Sequence, residues 1–172
     1  TNKDGKISWD ELATGLKVAL AAASGKAVAT TEDLQSALDF SRSAATMGGK
    51  LSLKVIRACK LTNLDSGIFG DVSDPFVKVT AGTEQVETSP INNNLNPEWN
   101  KQFELKVGPP SNSATELLFE VMNYNRTKAH APLGTLKLPM TMFKAGKVCH
   151  IKEKLVGGGT GELEIEVVFT PA

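Results

Sequence analysis

Histidine and cysteine are scarce in this chain, at two residues each in 172. His130 and His150 have no partner at a spacing that would suggest zinc. Cys59 and Cys149 stand far apart in the sequence and read as two small, half-buried thiols of a reducing compartment. Neither charge is in excess: 19 Lys and Arg face 19 Asp and Glu. A general nucleic-acid binder needs a basic surface excess, so that class is excluded. No apolar run reaches the roughly 18–20 residues a bilayer crossing takes. The most apolar helical stretch, Leu16 to Ala23, is short and alanine-rich. No Ser-His-Asp, paired-carboxylate or activated-thiolate arrangement stands out, which points away from an enzyme and from a small-molecule substrate. The glycine run from Gly157 to Gly161 lacks the Lys-Ser/Thr ending of a phosphate loop and leads into a strand pattern, so it reads as a hairpin loop.

What is present falls into a helical part and a larger alternating part. Leu12, Leu16, Leu20 and Ala23 recur at helical spacing, with a stop at Ser24-Gly25. Thr30-Thr-Glu-Asp33 offers a capping box for a second helix, carrying Leu34, Ala37, Leu38 and Ala45 on one face. Gly48-Gly49 ends it. Ahead of these helices, Thr1-Asn-Lys-Asp-Gly-Lys-Ile-Ser-Trp-Asp-Glu-Leu12 resembles an EF-hand calcium loop and the start of its exiting helix. The resemblance implies calcium ligands at Asn2, Asp4, the Lys6 carbonyl, Ser8 and Glu11, with Gly5 at the sharp turn and Ile7 beside it. The first liganding carboxylate would precede Thr1, and so would the entering helix. The natural protein is therefore expected to continue upstream or to have been processed here.

From Lys50 the hydrophobic period changes from helical to two. Phe103, Leu105 and Val107 alternate with polar residues, as do Leu163, Ile165 and Val167. Strands are expected over 51–58, 75–80, 84–89, 101–107, 116–122, 132–138, 147–153 and 161–169. Turn signals at Asn92-Asn-Asn94, Gly108-Pro-Pro-Ser-Asn112 and the glycine run separate them. Eight short strands with frequent turns predict a mainly β fold, an antiparallel sandwich. Its expected core includes Leu53, Val55, Phe76, Val77, Val79, Phe103, Leu105, Leu118, Phe119, Val121, Leu163, Ile165 and Val167.

Five ordered signals narrow the class of sandwich: Leu51-Ser-Leu-Lys-Val-Ile-Arg-Ala58, Ser73-Asp-Pro-Phe-Val-Lys-Val79, Asn96-Pro-Glu-Trp-Asn100, Leu117-Leu-Phe-Glu-Val-Met-Asn-Tyr-Asn125 and Leu133-Gly134. In this order the stretch resembles a C2 domain, an eight-stranded β-sandwich that docks on membranes or proteins, often through calcium. Opening on the strand that leads into the first calcium loop and closing on Gly161-Glu-Leu-Glu-Ile-Glu-Val-Val-Phe-Thr-Pro171, it matches the family's type II topology. The expected division is an incomplete EF-hand loop and exiting helix at 1–24, a linker helix at 25–48 and the C2 domain at 49–172.

The resemblance implies five aspartates around calcium, two in the first loop and three in the third. Asp65 and Asp74 match the first pair, in a loop lengthened by about three residues; Asp71 is available to compensate or to cap a turn. The third loop has Asn123, Asn125 and Ala131 where the pattern asks for aspartate. Calcium wants six to eight oxygens with several negative charges among them. Asparagine keeps a carbonyl but no charge, alanine offers nothing, and Arg126 and Lys128 add positive charge. Calcium binding is therefore expected to be weak or lost at Asp65, Asp71, Asp74, Asn123 and Asn125, while the EF-hand loop keeps most of its ligand positions but loses much of its affinity with the missing first carboxylate. Lys128 reads as a solvated cation, with pairing to Asp65 or Asp74 as the alternative.

The apolar pair Ile68-Phe69 in the long first loop, flanked by Arg126, Lys128 and His130, suits an anionic lipid surface or a partner's pocket. The strand that reads phosphoinositides in many C2 domains is the acidic Glu84-Gln-Val-Glu-Thr-Ser89 here, which argues against a headgroup site on that face. Asn125-Arg-Thr127 matches a glycosylation sequon, but the thiols and the family resemblance argue for an intracellular chain. The leading expectation is a non-enzymatic adaptor, largely calcium-independent, docking on membrane phospholipid or a membrane protein complex. It would be peripheral to a membrane, on a cytoplasmic face or in a plastid stroma. The alternatives are a calcium-activated phospholipid-binding sensor and a regulatory fragment of a larger signalling enzyme.

Overall fold

The computed structural model describes Gln35, Leu38, Ala44 and residues 47–65, 71–108 and 115–172. The chain divides into two compact units, Thr1–Ser41 and Arg42–Ala172. In the first unit Gln35 and Leu38 are helical, within the segment expected to form the second helix. The EF-hand loop, with Asn2, Asp4, Lys6, Ser8 and Glu11, lies outside the described residues.

The second unit is a sandwich of two antiparallel four-stranded sheets. Its strands are β1 (Gly49–Cys59), β2 (Pro75–Ala81), β3 (Glu84–Glu87), β4 (Glu98–Val107), β5 (Glu116–Asn123), β6 (Ala131–Pro139), β7 (Val148–Lys154) and β8 (Glu162–Pro171). One sheet runs β4-β1-β8-β7, the other β3-β2-β5-β6. All eight expected strands form, with ends shifted by up to three residues. Alternation is why: Leu51, Leu53 and Val55 on β1 and Leu163, Ile165, Val167 and Phe169 on β8 are all buried, and their neighbours are not. They pack against Val77, Val79, Leu117, Phe119 and Val121 of the opposite sheet. Full burial of each such side chain stabilises the fold by about 1.5–3 kcal/mol relative to exposure.

The expected core needs one correction. Leu117, not Leu118, points inward: Leu117 is fully buried and Leu118 half-buried. Phe119 fixes the phase of β5, and a residue one place away must face outward. Phe103 is partly buried, packed on the edge of the core.

β1 and β8 start and finish together. Gly49 pairs with Pro171 at one end of the sandwich and Cys59 with Glu162 at the other. Beyond the first pair, Ala172 donates its backbone N–H to the Gly48 carbonyl at 3.2 Å. Gly49 has φ 156, and a Cβ there would lie 2.3 Å from the Thr170 carbonyl oxygen, so only glycine fits. The opposite end gathers the loop residues 60–65 and 71–74, the loops 88–97 and 124–130 and the glycine hairpin 155–161. Two register slips lie toward this end, at Val55/Arg57 and Val121/Met122. Each bulge bends its strand and re-aims the residues beyond it.

Candidate functional site

The first loop is built on Asn63. Its Oδ1 accepts from the Asp65 N–H at 3.1 Å and the Ser73 N–H at 3.0 Å, and its Nδ2 donates to the Asp71 carbonyl at 3.1 Å. The fully buried Ser73 accepts the Leu64 N–H at its Oγ, 2.8 Å away. Asp71 thus meets Asn63 through its carbonyl, and its side chain is exposed. Ile68 and Phe69 lie outside the described residues.

The second loop reaches the first through Asn93. This residue has φ 52, in the left-handed region that asparagine tolerates. Its N–H donates to Asp74 Oδ1 at 2.7 Å, and its own Oδ1 accepts from the Val72 N–H at 3.1 Å. Asn96 ties the same loop to Lys60, accepting its N–H at 2.9 Å.

Asn123 joins the third loop to the first. It is the last residue of β5 and 1% exposed. Oδ1 accepts the Asp74 N–H at 2.7 Å, and Nδ2 donates to Asp65 Oδ2 at 3.0 Å. The backbone N–H of Asp74 can only donate, which fixes which end of the amide is oxygen and which is nitrogen. Asn125 folds the loop on itself, donating to the carbonyls of Asn123 at 3.3 Å and Ala129 at 3.2 Å. Its backbone N–H donates to His130 Nδ1 at 3.0 Å, so that nitrogen carries no proton. The His130 ring stacks on Tyr124 with centroids 5.0 Å apart, and both meet Phe76 edge-on.

The donor set around Asp65 and Asp74 does not fit a calcium ion. An N–H donor, not an oxygen, faces Asp65, and one oxygen of each aspartate is already engaged. Ala131 supplies no ligand. Among the described residues no three His, Cys, Asp or Glu come together as a metal-holding group.

Sequence reasoning finds the residues of this end and misses the ones that bind them. Asp65, Asp71, Asp74, Asn123, Asn125, Arg126, Lys128 and His130 all lie on its loops. Arg126 and Lys128 are exposed and form no ion pair with a described residue. Asn63, Ser73 and Asn93 are the residues missed, and the turn signal at Asn92-Asn-Asn94 is the one hint of them. Leu64, Tyr124 and Val156 add exposed apolar surface here.

The glycine hairpin between β7 and β8 locks the loops together. A Cβ on Gly158 would lie 2.5 Å from Gly134 N and 2.6 Å from Leu133 C, so the two backbones touch directly. Thr160 donates its N–H to Thr62 Oγ1 at 2.9 Å, and Thr135 and Val156 exchange backbone bonds at 2.8 and 2.9 Å.

Several cations on the sheet faces are partnered. Arg57 Nε meets Glu164 Oε2 at 2.7 Å, and His150 Nε2 lies 3.0 Å from the other oxygen. Arg57, by its hydrogen bond and charge, holds the Glu164 carboxyl below the usual range. Cys59 and then Lys152 do the same for Glu162. Lys78 of β2 pairs with Glu120 at 2.9 Å, beside the acidic β3. Cys59 and Cys149 are free, and β8 separates the strands that carry them. No helix among the described residues is long and apolar enough to cross a membrane.

Two antiparallel sheets in this strand order, with loops converging at one end, define the class of β-sandwich. The chain belongs to the C2 domain family, whose model matches residues 49–155. It is similar to Synaptotagmin-2 of Arabidopsis thaliana, at 32% identity over 78% of this chain and 26% of that protein. Among solved structures it is similar to a single C2 domain of plant Extended Synaptotagmin 1, with a TM-score of 0.63 and 26% identity over 73% of this chain and 97% of that one. The calcium-bound pair of C2 domains of Extended-Synaptotagmin 2 shares the fold, with a TM-score of 0.63 and 23% identity over 72% of this chain and 46% of that one. The chain spans about a quarter to a half of the length of the curated relatives it matches.

Proposed function

We propose that this C2 domain is a non-enzymatic docking module that attaches to a membrane phospholipid surface through its loop end, without needing calcium. It acts as an intracellular protein peripheral to the membrane. One observation carries the reading: Asp65 and Asp74 are already bonded by Asn123 and Asn93. In a calcium-dependent C2 domain the ion neutralises such aspartates and tethers the loops. Here neutral amides do the tethering, and Arg126 and Lys128 stand free on the surface for anionic headgroups. Leu64, Tyr124 and Val156 give the same end an apolar margin that can enter the headgroup region. The similarity to synaptotagmin and extended synaptotagmin C2 domains supports a membrane rather than a catalytic role. Ile68 and Phe69 extend the apolar margin in this proposal.

Cosedimentation with phosphatidylserine-containing vesicles tests it. Binding in chelator equal to binding in calcium is expected. Binding that appears only with calcium would favour the sensor reading instead, with the EF-hand at 1–24 as the site of response. Capture by a membrane protein complex but not by vesicles would make the partner a protein.

A further inference from the structure

Asn123 is one of three buried polar side chains among the described residues, with Ser73 and Thr88. Its burial would be costly unless both ends of the amide were satisfied. They are, and the partners are the two aspartates of the first loop: Asp74 through its backbone N–H and Asp65 through its carboxylate. One short side chain at the end of β5 therefore fixes both sides of the first loop.

The geometry points to Asn123 as the residue that makes this loop end indifferent to calcium, its amide N–H giving the Asp65 carboxylate the positive pole that a bound cation would otherwise supply. This rests on the proposal that the end docks without calcium, and it names the atom responsible.

An aspartate at 123 would have the same shape. One of its oxygens would keep the bond from the Asp74 N–H. The other would replace Nδ2 and face Asp65 Oδ2 at about the present 3.0 Å. Two carboxylates so close do not both stay ionised without a proton or a cation between them. Asp74, whose own carboxylate lies in the same loop, would add a third negative charge. Oxygen would then replace nitrogen at the donor position facing Asp65, which is the environment a hard divalent ion requires. At the position that faces Asp65, the difference between a self-contained loop end and a cation-requiring one thus reduces to one atom.

The test uses the full 172-residue chain in three forms: wild type, Asn123→Asp, and the exchange Asp65→Asn with Asn123→Asp. The exchange turns the amide–carboxylate pair around and keeps its net charge. Each form is melted in chelator and in about 1 mM calcium chloride, near the weak end of protein calcium sites. Any response of the N-terminal unit is common to all three and cancels in the comparison. Asn123→Asp is expected to melt roughly 5 °C or more below wild type in chelator, and to regain at least half of that in calcium beyond any change in wild type. The exchanged pair is expected to melt close to wild type and to respond to calcium no more than wild type does. If Asn123→Asp does not fold in chelator, the exchanged pair carries the test alone. An unperturbed or calcium-blind Asn123→Asp, or an exchange that restores nothing, would overturn the assignment. Vesicle binding by wild type in chelator is measured separately. Its failure, with the melts as expected, would remove the docking proposal and leave the role of Asn123 standing.

Discussion

Asn93 and Asp74 are joined at 2.7 Å, the backbone N–H of one donating to the carboxylate of the other, and Asn93 takes a left-handed φ of 52 to do it. Its side chain accepts the Val72 N–H as well. Asn93→Gly should keep the backbone bond and lose only the acceptor, at a cost of about 1 kcal/mol. Asn93→Ala should also strain the backbone by roughly 1–2 kcal/mol. Urea denaturation of both variants checks this order; alanine equal to glycine would mean the left-handed conformation is not retained in solution.

Replacing Leu64 and Val156 with serine should weaken vesicle binding with little loss of stability, since both are exposed. Arg126→Glu with Lys128→Glu should weaken it further and flatten its dependence on salt, because those charges act over a Debye length of about 8 Å. Cosedimentation across a salt series reads both effects. If neither pair of changes matters, the docking surface lies away from the loop end.

Glu164 and Glu162 titrate below the usual carboxylate range in the folded state. Their contribution to stability is therefore present above the ordinary glutamate value of about 4.3 and is lost as pH falls through the lower folded values. Glu164→Gln should be less stable than wild type at pH 7, and the gap should close below pH 4 in urea titrations. A gap that stays constant down to pH 3 would show that Arg57 does not favour the ionised form.

Phe119 and Leu105 have no exposed surface. Alanine at Phe119 should cost roughly 3–5 kcal/mol and at Leu105 roughly 2–5 kcal/mol, measured by chemical denaturation. Calcium chelation should leave the sandwich's melting temperature unchanged, since its core and loop tethers involve only protein groups.

The sheets were legible because their signal is local. Period-two burial on β1, β5 and β8 is written in each strand's own residues, and the bounding turns are too. Even the misassigned Leu118 failed by a single step of that period, beside a Phe119 that was placed correctly. The loop end was half legible. Losing aspartate at 123, 125 and 131 revealed what the site lacked. What replaced it was not visible, because Asn63, Asn93 and Asn123 take their meaning from partners up to 58 positions away. An asparagine in a turn looks the same in sequence whether it caps its own loop or clasps another. Likewise Gly158 reads as flexible spacing until the backbone of Gly134 is found against it.

Because β1 and β8 begin and end side by side, the chain enters and leaves the sandwich at the same place, next to the Gly48–Ala172 bond. The loops stand at the far end of β1, whose 11 residues span roughly 35 Å. The entry and exit ends of the sandwich therefore lie together, on the side away from its loops. Tension between those two ends would load the β1–β8 hydrogen bonds one at a time, from the rear forward, as a zipper opens. The loops would be the last part of that seam to feel the pull.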